Sequence, residues 1–138
     1  MNSVDNVRCS LGPLEETLIR NHAQRTGLST EAAKGASREL AKFLLLCAKS
    51  DAPLAPSEEV DDVWHDFVLH TREYHAFCRD QIGRFIHHVP SEVPDQQSYW
   101  RTLTLMEAEF GGVDERYWPR SAAPGKCCGS HCSGEKQD

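Results

Sequence analysis

Apolar residues recur at steps of three and four positions along most of this chain, which is the spacing of one face of an α-helix. The first such stretch contains Leu11, Leu14, Leu18 and His22, and Gly27 follows it as a C-terminal stop. No stretch alternates between apolar and polar residues as a strand does. The pattern therefore predicts helices throughout, the first of which ends at Gly27.

A second helix is predicted to begin at Ser29, where a serine is followed by Glu31 in the first turn. Residues 50–56 break this helix, because they contain two prolines that a helix interior does not accommodate. Its apolar face is formed by Ala36, Leu40, Phe43, Leu44 and Cys47.

A third, longer helix is predicted over residues 57–82. Ser57 is a suitable N-cap, Glu58 and Glu59 favour the first turn, and Gly83 marks the end. The apolar stripe of this helix contains Val60, Val63, Trp64, Phe67, Thr71, Tyr74 and Cys78.

A fourth helix is indicated after a loop over residues 84–95. Its apolar positions are Tyr99, Leu103, Met106 and Phe110, and two glycines close it. Aromatic residues at helical spacing usually belong to a core, which is the prediction for Trp64, Tyr74, Trp100 and Trp118.

The fold class predicted is all-α: a compact four-helix domain over residues 1–120, followed by a disordered tail over residues 121–138. The tail contains almost no apolar residues apart from its cysteines, so it cannot bury a core of its own. A chain of 138 residues is enough material for one such domain.

Charge and composition exclude several classes of function. The net charge is −6 and no stripe of Lys or Arg is present, which argues against binding to nucleic acid or to an anionic membrane. The longest apolar run, residues 43–48, is too short to span a bilayer, and no signal peptide is recognised, so a cytoplasmic location is predicted. No phosphate-binding loop or dinucleotide fingerprint appears, so no nucleotide cofactor is expected.

Residues 60–90 contain five of the seven histidines, and here the chain resembles the glycine-rich-domain-like proteins. The resemblance covers roughly residues 56–120, and such proteins also have a tail rich in Gly and Cys. The resemblance implies no particular reaction, substrate or partner. Its residues are Val60-Asp61, Trp64-His65, Thr71, Tyr74, Phe77-Cys78, Gly83, Phe85-Ile86-His87-His88, Pro90, Tyr99, Thr102-Leu103, Phe110-Gly111 and Tyr117-Trp118-Pro119.

Asp61 and His65 are one helical turn apart and lie away from the centre of the apolar stripe. A carboxylate in this position can orient the imidazole or serve beside it as a second metal ligand. The alternative is a partly buried hydrogen bond that fixes the helix against its neighbour.

The reach of the chain limits the partners of His88. If the helix stops at Gly83 and the chain doubles back, five residues span at most about 18 Å, so that His88 can lie beside Cys78, His75 or Tyr74, with Thr71 near the limit. Contact with His65 requires a bend in the helix or a different packing.

A cluster of His87 or His88 with His75 and Cys78 is therefore permitted by geometry. Imidazole and thiolate ligands together suit zinc or another transition metal of borderline softness. The alternative is that both histidines of the pair hydrogen-bond to helix ends.

The tail supplies a second candidate ligand set: Cys127, Cys128, His131 and Cys132. These residues suit Zn²⁺ or Cu(I), but their spacing is not that of a zinc finger. A disulfide, a thiol-exchange site and an unstructured tail that binds metal adventitiously are the alternatives.

The leading hypothesis is a small metal-binding helical protein that acts as an accessory enzyme or a metal carrier. One alternative is a non-catalytic interaction module in which the histidines are structural and an exposed helix face binds a protein partner. Another is a thiol redox or metal sensor that acts through the tail. The sequence indicates no particular reaction or substrate.

Overall fold

The structure, a computed structural model, describes residues 10–90 and 95–120, with backbone only at Pro90 and at Cys127–Cys128. Five α-helices make up most of this described part. They are α1 Glu15–Thr26, α2 Thr30–Lys49, α3 Glu58–Leu69, α4 Thr71–Phe77 and α5 Gln96–Phe110.

Local side-chain chemistry sets where most of these helices begin and end. The hydroxyls of Ser29 and Ser57 accept hydrogen bonds from backbone N–H groups three residues later, at 3.1 and 3.2 Å, and Asp95 caps α5 in the same way. Gly27 and Gly111 end α1 and α5 in the left-handed conformation that glycine adopts without strain. The starts predicted at Ser29 and Ser57 agree with these caps.

The third predicted helix is divided in the structure. His70 has φ −89° and ψ 73°, which is not helical, and it separates α3 from α4. A π-helical turn, Cys78–Ile82, then extends α4 to Gly83, whose φ is 100°. The single helix predicted over residues 57–82 is therefore divided into α3 and α4, which meet at a bend, and a π turn that follows α4.

The core lies around α2, which packs against α1, α3 and α5. The ring of Phe43 on α2 lies 5.3 Å from that of Trp64 and 6.0 Å from that of Trp118. The indole N–H of Trp118 donates to Glu39 at 2.9 Å, so the turn after α5 is held over the core. The core positions of Trp64, Tyr74 and Trp118 are confirmed, but Trp100 is 44% exposed.

The prediction of an all-α, compact helical domain is confirmed for the part of the chain that is described. Among the described residues, a two-residue antiparallel pairing of β1, Val89–Pro90, with β2, Cys127–Cys128, departs from this class. Among the helices described, none is long and apolar enough to cross a bilayer. The flexible tail predicted over residues 121–138 lies outside the described residues, apart from the backbone of β2.

Candidate functional site

The loop over residues 84–90 is anchored to the bend between α3 and α4 by a buried chain of hydrogen bonds. The indole N–H of Trp64 donates to the hydroxyl of Tyr74 at 3.0 Å, and that hydroxyl donates in turn to the backbone carbonyl of Ile86. All three residues are buried. Because the Tyr74 hydroxyl accepts one hydrogen bond from α3 and donates another to the loop, it fixes the position of the loop relative to α3.

This anchor places His88 over the first turns of α3. Its Nε2 lies 3.1 Å from Oδ1 of Asp61, and its ring meets that of Trp64 edge-on at 4.4 Å. Only 7% of the His88 side chain is exposed. Since an ionised carboxylate only accepts hydrogen bonds, the neutral tautomer of His88 that makes this contact has its proton on Nε2 and its lone pair on Nδ1.

His65 completes what we call the Asp-His-His cluster: Asp61, His65 and His88. The ring centroid of His65 lies 5.5 Å from that of His88, and His65 follows Asp61 by one turn of α3. His65 is exposed, whereas His88 is almost covered. The cluster therefore has one solvent-facing imidazole beside one that is held in place by a carboxylate.

The bend at His70 is the physical reason why His88 meets the start of α3 rather than the end of α4. A straight helix to Gly83 limits His88 to the stretch between Thr71 and Cys78. Because the chain changes direction at His70, α4 and the loop fold back along α3. The predicted doubling back of the chain is observed, but its contacts are with Asp61 and His65.

The other predicted ligands from this region lie elsewhere. Cys78 is fully buried, and burial raises the pKa of its thiol. His75 and His87 are exposed, and both rings pack against Phe85. The ring centroid of His75 lies 5.7 Å from that of Phe85, and the ring centroid of His87 lies 4.8 Å from it. The proposed grouping of His87 or His88 with Cys78 and His75 is thus separated into a buried thiol, a surface aromatic group and the Asp-His-His cluster.

The β1–β2 pairing places the backbone of Cys127–Cys128 beside the residues that follow His88. Val89 pairs with Cys128 and Pro90 with Cys127, so the strand that begins one residue after His88 has two cysteines opposite it. Paired strands lie about 5 Å apart. His131 and Cys132, the remaining predicted tail ligands, lie outside the described residues.

Among the side chains described, no three His, Cys, Asp or Glu residues are placed so that they could hold a metal ion by themselves. The Asp-His-His cluster has suitable donor atoms but does not form a complete site. A complete metal site in this region therefore needs ligands from beyond the described side chains.

The sequence did not reveal a second polar network, centred on the buried His22 of α1. Its Nδ1 lies 2.6 Å from Asp62 and its Nε2 lies 3.4 Å from Glu59, both on α3. Arg25 also contacts Asp62, at 2.7 Å. The hydrogen bond from His22, reinforced by Arg25, lowers the pKa of Asp62 to about 2.

This network joins α1 to α3. The sequence shows the histidine of α1 and the acidic residues of α3, but not that they meet. His22 continues the apolar stripe of α1, while Glu59, Asp62 and Asp66 recur at three- and four-residue steps on α3. The spacing indicates an acidic face, but it does not say which helix covers that face. We assign the network a structural role because His22 is completely buried.

Comparison with known proteins corrects the family resemblance. The model of the UCP032817-like family matches residues 12–103. This match overturns the assignment to the glycine-rich-domain-like proteins, which rested on residues 56–120 and left α1 and α2 aside. No curated protein and no solved structure matches the chain.

Proposed function

The chain belongs to the UCP032817-like family, whose name specifies no activity, and we propose from the Asp-His-His cluster that it is a small metal-binding protein. The ion is a transition metal of borderline softness, with Zn²⁺ as the reference case. The observation that carries the proposal is the contact of His88 with Asp61 at 3.1 Å, beside His65 and next to β2.

In this proposal Asp61 orients His88 rather than binding the ion. Metal-ligating histidines commonly donate their second ring N–H to a carboxylate, which fixes the tautomer and raises the basicity of the other nitrogen. The Asp61–His88 pair has this arrangement. His88 would bind through Nδ1, and the exposed His65 would supply the second imidazole.

The tail would supply the remaining ligands as thiolates. Two imidazoles with two thiolates form a common tetrahedral set for zinc. Successive residues of a strand project to opposite faces, so only one of Cys127 and Cys128 would face a given ion. The other thiolate would come from the rest of the tail, where Cys132 is the available residue.

Reversible binding, as in a metal carrier, fits this arrangement better than a structural ion does. The core around Phe43, Trp64 and Trp118 is formed by packed aromatic side chains, and in this proposal the fold does not depend on the ion. His65 is open to solvent, which gives the ion a route of exchange. A reducing compartment such as the cytosol is part of the proposal, because the thiols bind metal only when they are reduced.

Zinc titration of the full-length, reduced protein tests the proposal, with a chromophoric chelator as competitor. We expect about one Zn²⁺ per chain. Loss of His65, of His88 or of the chain after residue 121 should each weaken binding by at least about tenfold, and Asp61→Asn by about 10–100-fold. Cys127→Ser and Cys128→Ser should differ, since only one of them faces the ion.

His75→Ala is the matched control, because this exposed histidine packs against Phe85 and not against the cluster. Its zinc affinity should equal that of the unchanged protein. Zinc binding that survives both His65→Ala and His88→Ala but is lost on truncation identifies a site in the tail alone and overturns the proposal. No zinc binding at all also overturns it and favours the interaction module with structural histidines.

A further inference from the structure

A second candidate site is a cleft of about 550 Å³ that is lined by the end of α3, by α4 and by the loop. Small-molecule sites typically have volumes of roughly 300–1,000 Å³. We call it the α4 cleft. Its lining residues are Val68, Thr71, Arg72, Tyr74, His75, Ala76, Arg79 and Phe85.

The polar side of the α4 cleft is cationic, in a chain whose net charge is −6. Arg72 and Arg79 both line it, and no carboxylate is among its lining residues. Arg79 is paired with the exposed Asp80 at 2.8 Å. Within the described residues, no carboxylate oxygen lies within 4.0 Å of the Arg72 guanidinium, so its charge is available to a ligand.

The other side of the cleft is aromatic. Phe85 is 38% exposed, and its ring lies 5.7 Å from that of His75 at an interplanar angle of 39°. Tyr74 packs edge-on behind Phe85 at 5.4 Å, which holds the Phe85 ring in place. A flat ligand can therefore stack on a supported ring within reach of the arginines.

We infer that the α4 cleft binds a small anion carried on a planar aromatic group. A bare anion would leave Phe85 uncovered, while a neutral aromatic compound would leave the guanidinium of Arg72 without a partner. A compound with both features satisfies both sides of the cleft. This inference does not depend on the metal site, since none of the cleft residues belongs to the Asp-His-His cluster.

A pair of fluorescent probes tests the inference on the full-length protein. 8-Anilinonaphthalene-1-sulfonate has the planar rings and the anion, and N-phenyl-1-naphthylamine has the same rings without charge. We expect saturable binding of the sulfonate at one site, about tenfold tighter than that of the neutral probe, because an ionised hydrogen bond contributes this much.

Arg72→Gln should weaken sulfonate binding by about tenfold and leave the neutral probe unaffected. Asp80→Asn should strengthen sulfonate binding about two- to threefold, because it releases Arg79. Arg38→Gln is the control, since Arg38 is an exposed arginine on α2 outside the cleft.

All these substitutions are at exposed positions, so the fold should be retained. Equal affinity for the two probes overturns the inference in favour of a merely apolar groove. Sulfonate binding that is unchanged in Arg72→Gln, or weakened as much in Arg38→Gln, overturns it in favour of non-specific binding.

Discussion

Nε2 of His88 lies 3.1 Å from Oδ1 of Asp61, although the two residues are 27 positions apart in the chain. The contact holds the loop that follows α4 against the first turns of α3. It also brings together a carboxylate, a covered imidazole and the exposed His65. The same contact therefore has a structural consequence and a chemical one, and the two can be separated experimentally.

His88→Ala should destabilise the fold, whereas His65→Ala should not. Removal of His88 leaves Asp61 without this partner and exposes the edge of Trp64, so we expect a loss of about 1–3 kcal/mol in the free energy of unfolding. His65 is exposed on a helix, and its replacement by alanine should change stability by less than about 0.5 kcal/mol. Urea unfolding of the metal-free proteins measures both values.

If the cluster is only structural, His65→Ala should leave zinc affinity as well as stability unchanged. If it binds metal, His65→Ala should lose zinc affinity while the urea midpoint stays the same. A large loss of stability in His65→Ala would contradict the exposed position of this residue.

Tyr74→Phe should destabilise the protein although it preserves the packing of the ring against Phe67. The substitution leaves two buried groups, the Trp64 N–H and the Ile86 carbonyl, without their partner. We expect a loss of about 2 kcal/mol, because each unsatisfied buried group is costly. Amide hydrogen exchange should also become faster in the loop over residues 84–90, and unchanged exchange there would contradict the anchoring role of Tyr74.

Stability should fall at acid pH because of Asp62. Its pKa in the folded protein is about 2, below the ordinary value of 3.8, owing to the hydrogen bond from His22 and to Arg25. A lowered carboxyl pKa stabilises the fold above the unfolded pKa, and this contribution is lost as the pH falls from about 4 through 2. The 39% exposure of the side chain and the resulting solvent screening limit it to about 1 kcal/mol.

Urea unfolding at a series of pH values from 2 to 7 measures this dependence, with Asp62→Asn as the comparison. The variant should be less stable at pH 7 and should approach the unchanged protein as the pH falls to 2. Glu59, Asp66, His22 and Arg25 face the same network and are unchanged in both proteins. Parallel curves for the two proteins would contradict the assignment to Asp62.

Gly35→Ala should be strongly destabilising. A Cβ at Gly35 would come within 1.9 Å of the Tyr117 hydroxyl, which donates to the carbonyl of Ala32 at 3.0 Å. Overpacking of this kind typically costs about 1–3 kcal/mol, and we expect a value at the upper end. Gly112→Ala is the control, because nothing lies within 4 Å of its Cβ position. Thermal unfolding measures both variants, and equal melting temperatures would be evidence against the close approach of Tyr117 to α2.

Much of the helical architecture follows from local sequence signals. Ser29 and Ser57 begin helices because their hydroxyls reach backbone N–H groups three residues away, a range over which sequence and structure are directly linked. Gly27 and Gly111 end helices for an equally local reason. The bend at His70 had no such signal, since no proline or glycine lies near it.

The candidate sites show the same division. The sequence identified Asp61 and His65 as a pair because one helical turn fixes their spacing, but it predicted contacts of His88 with the last turns of the helix rather than with Asp61. It did not identify the network around His22 or the α4 cleft, because each is formed by residues from separate elements. Trp100 fits a helical apolar pattern, but no described neighbour covers enough of it to bury it.

The sequence by itself determined that this protein is helical, where most helices start and stop, and which residue types are available for metal chemistry. Those properties depend on interactions within a few residues. Only the tertiary structure decided that α3 and α4 meet at a bend, that His88 contacts Asp61, and that β2 lies beside β1. These features depend on how distant surfaces pack, and the free energy of that packing is a sum over the whole core, which no local pattern contains.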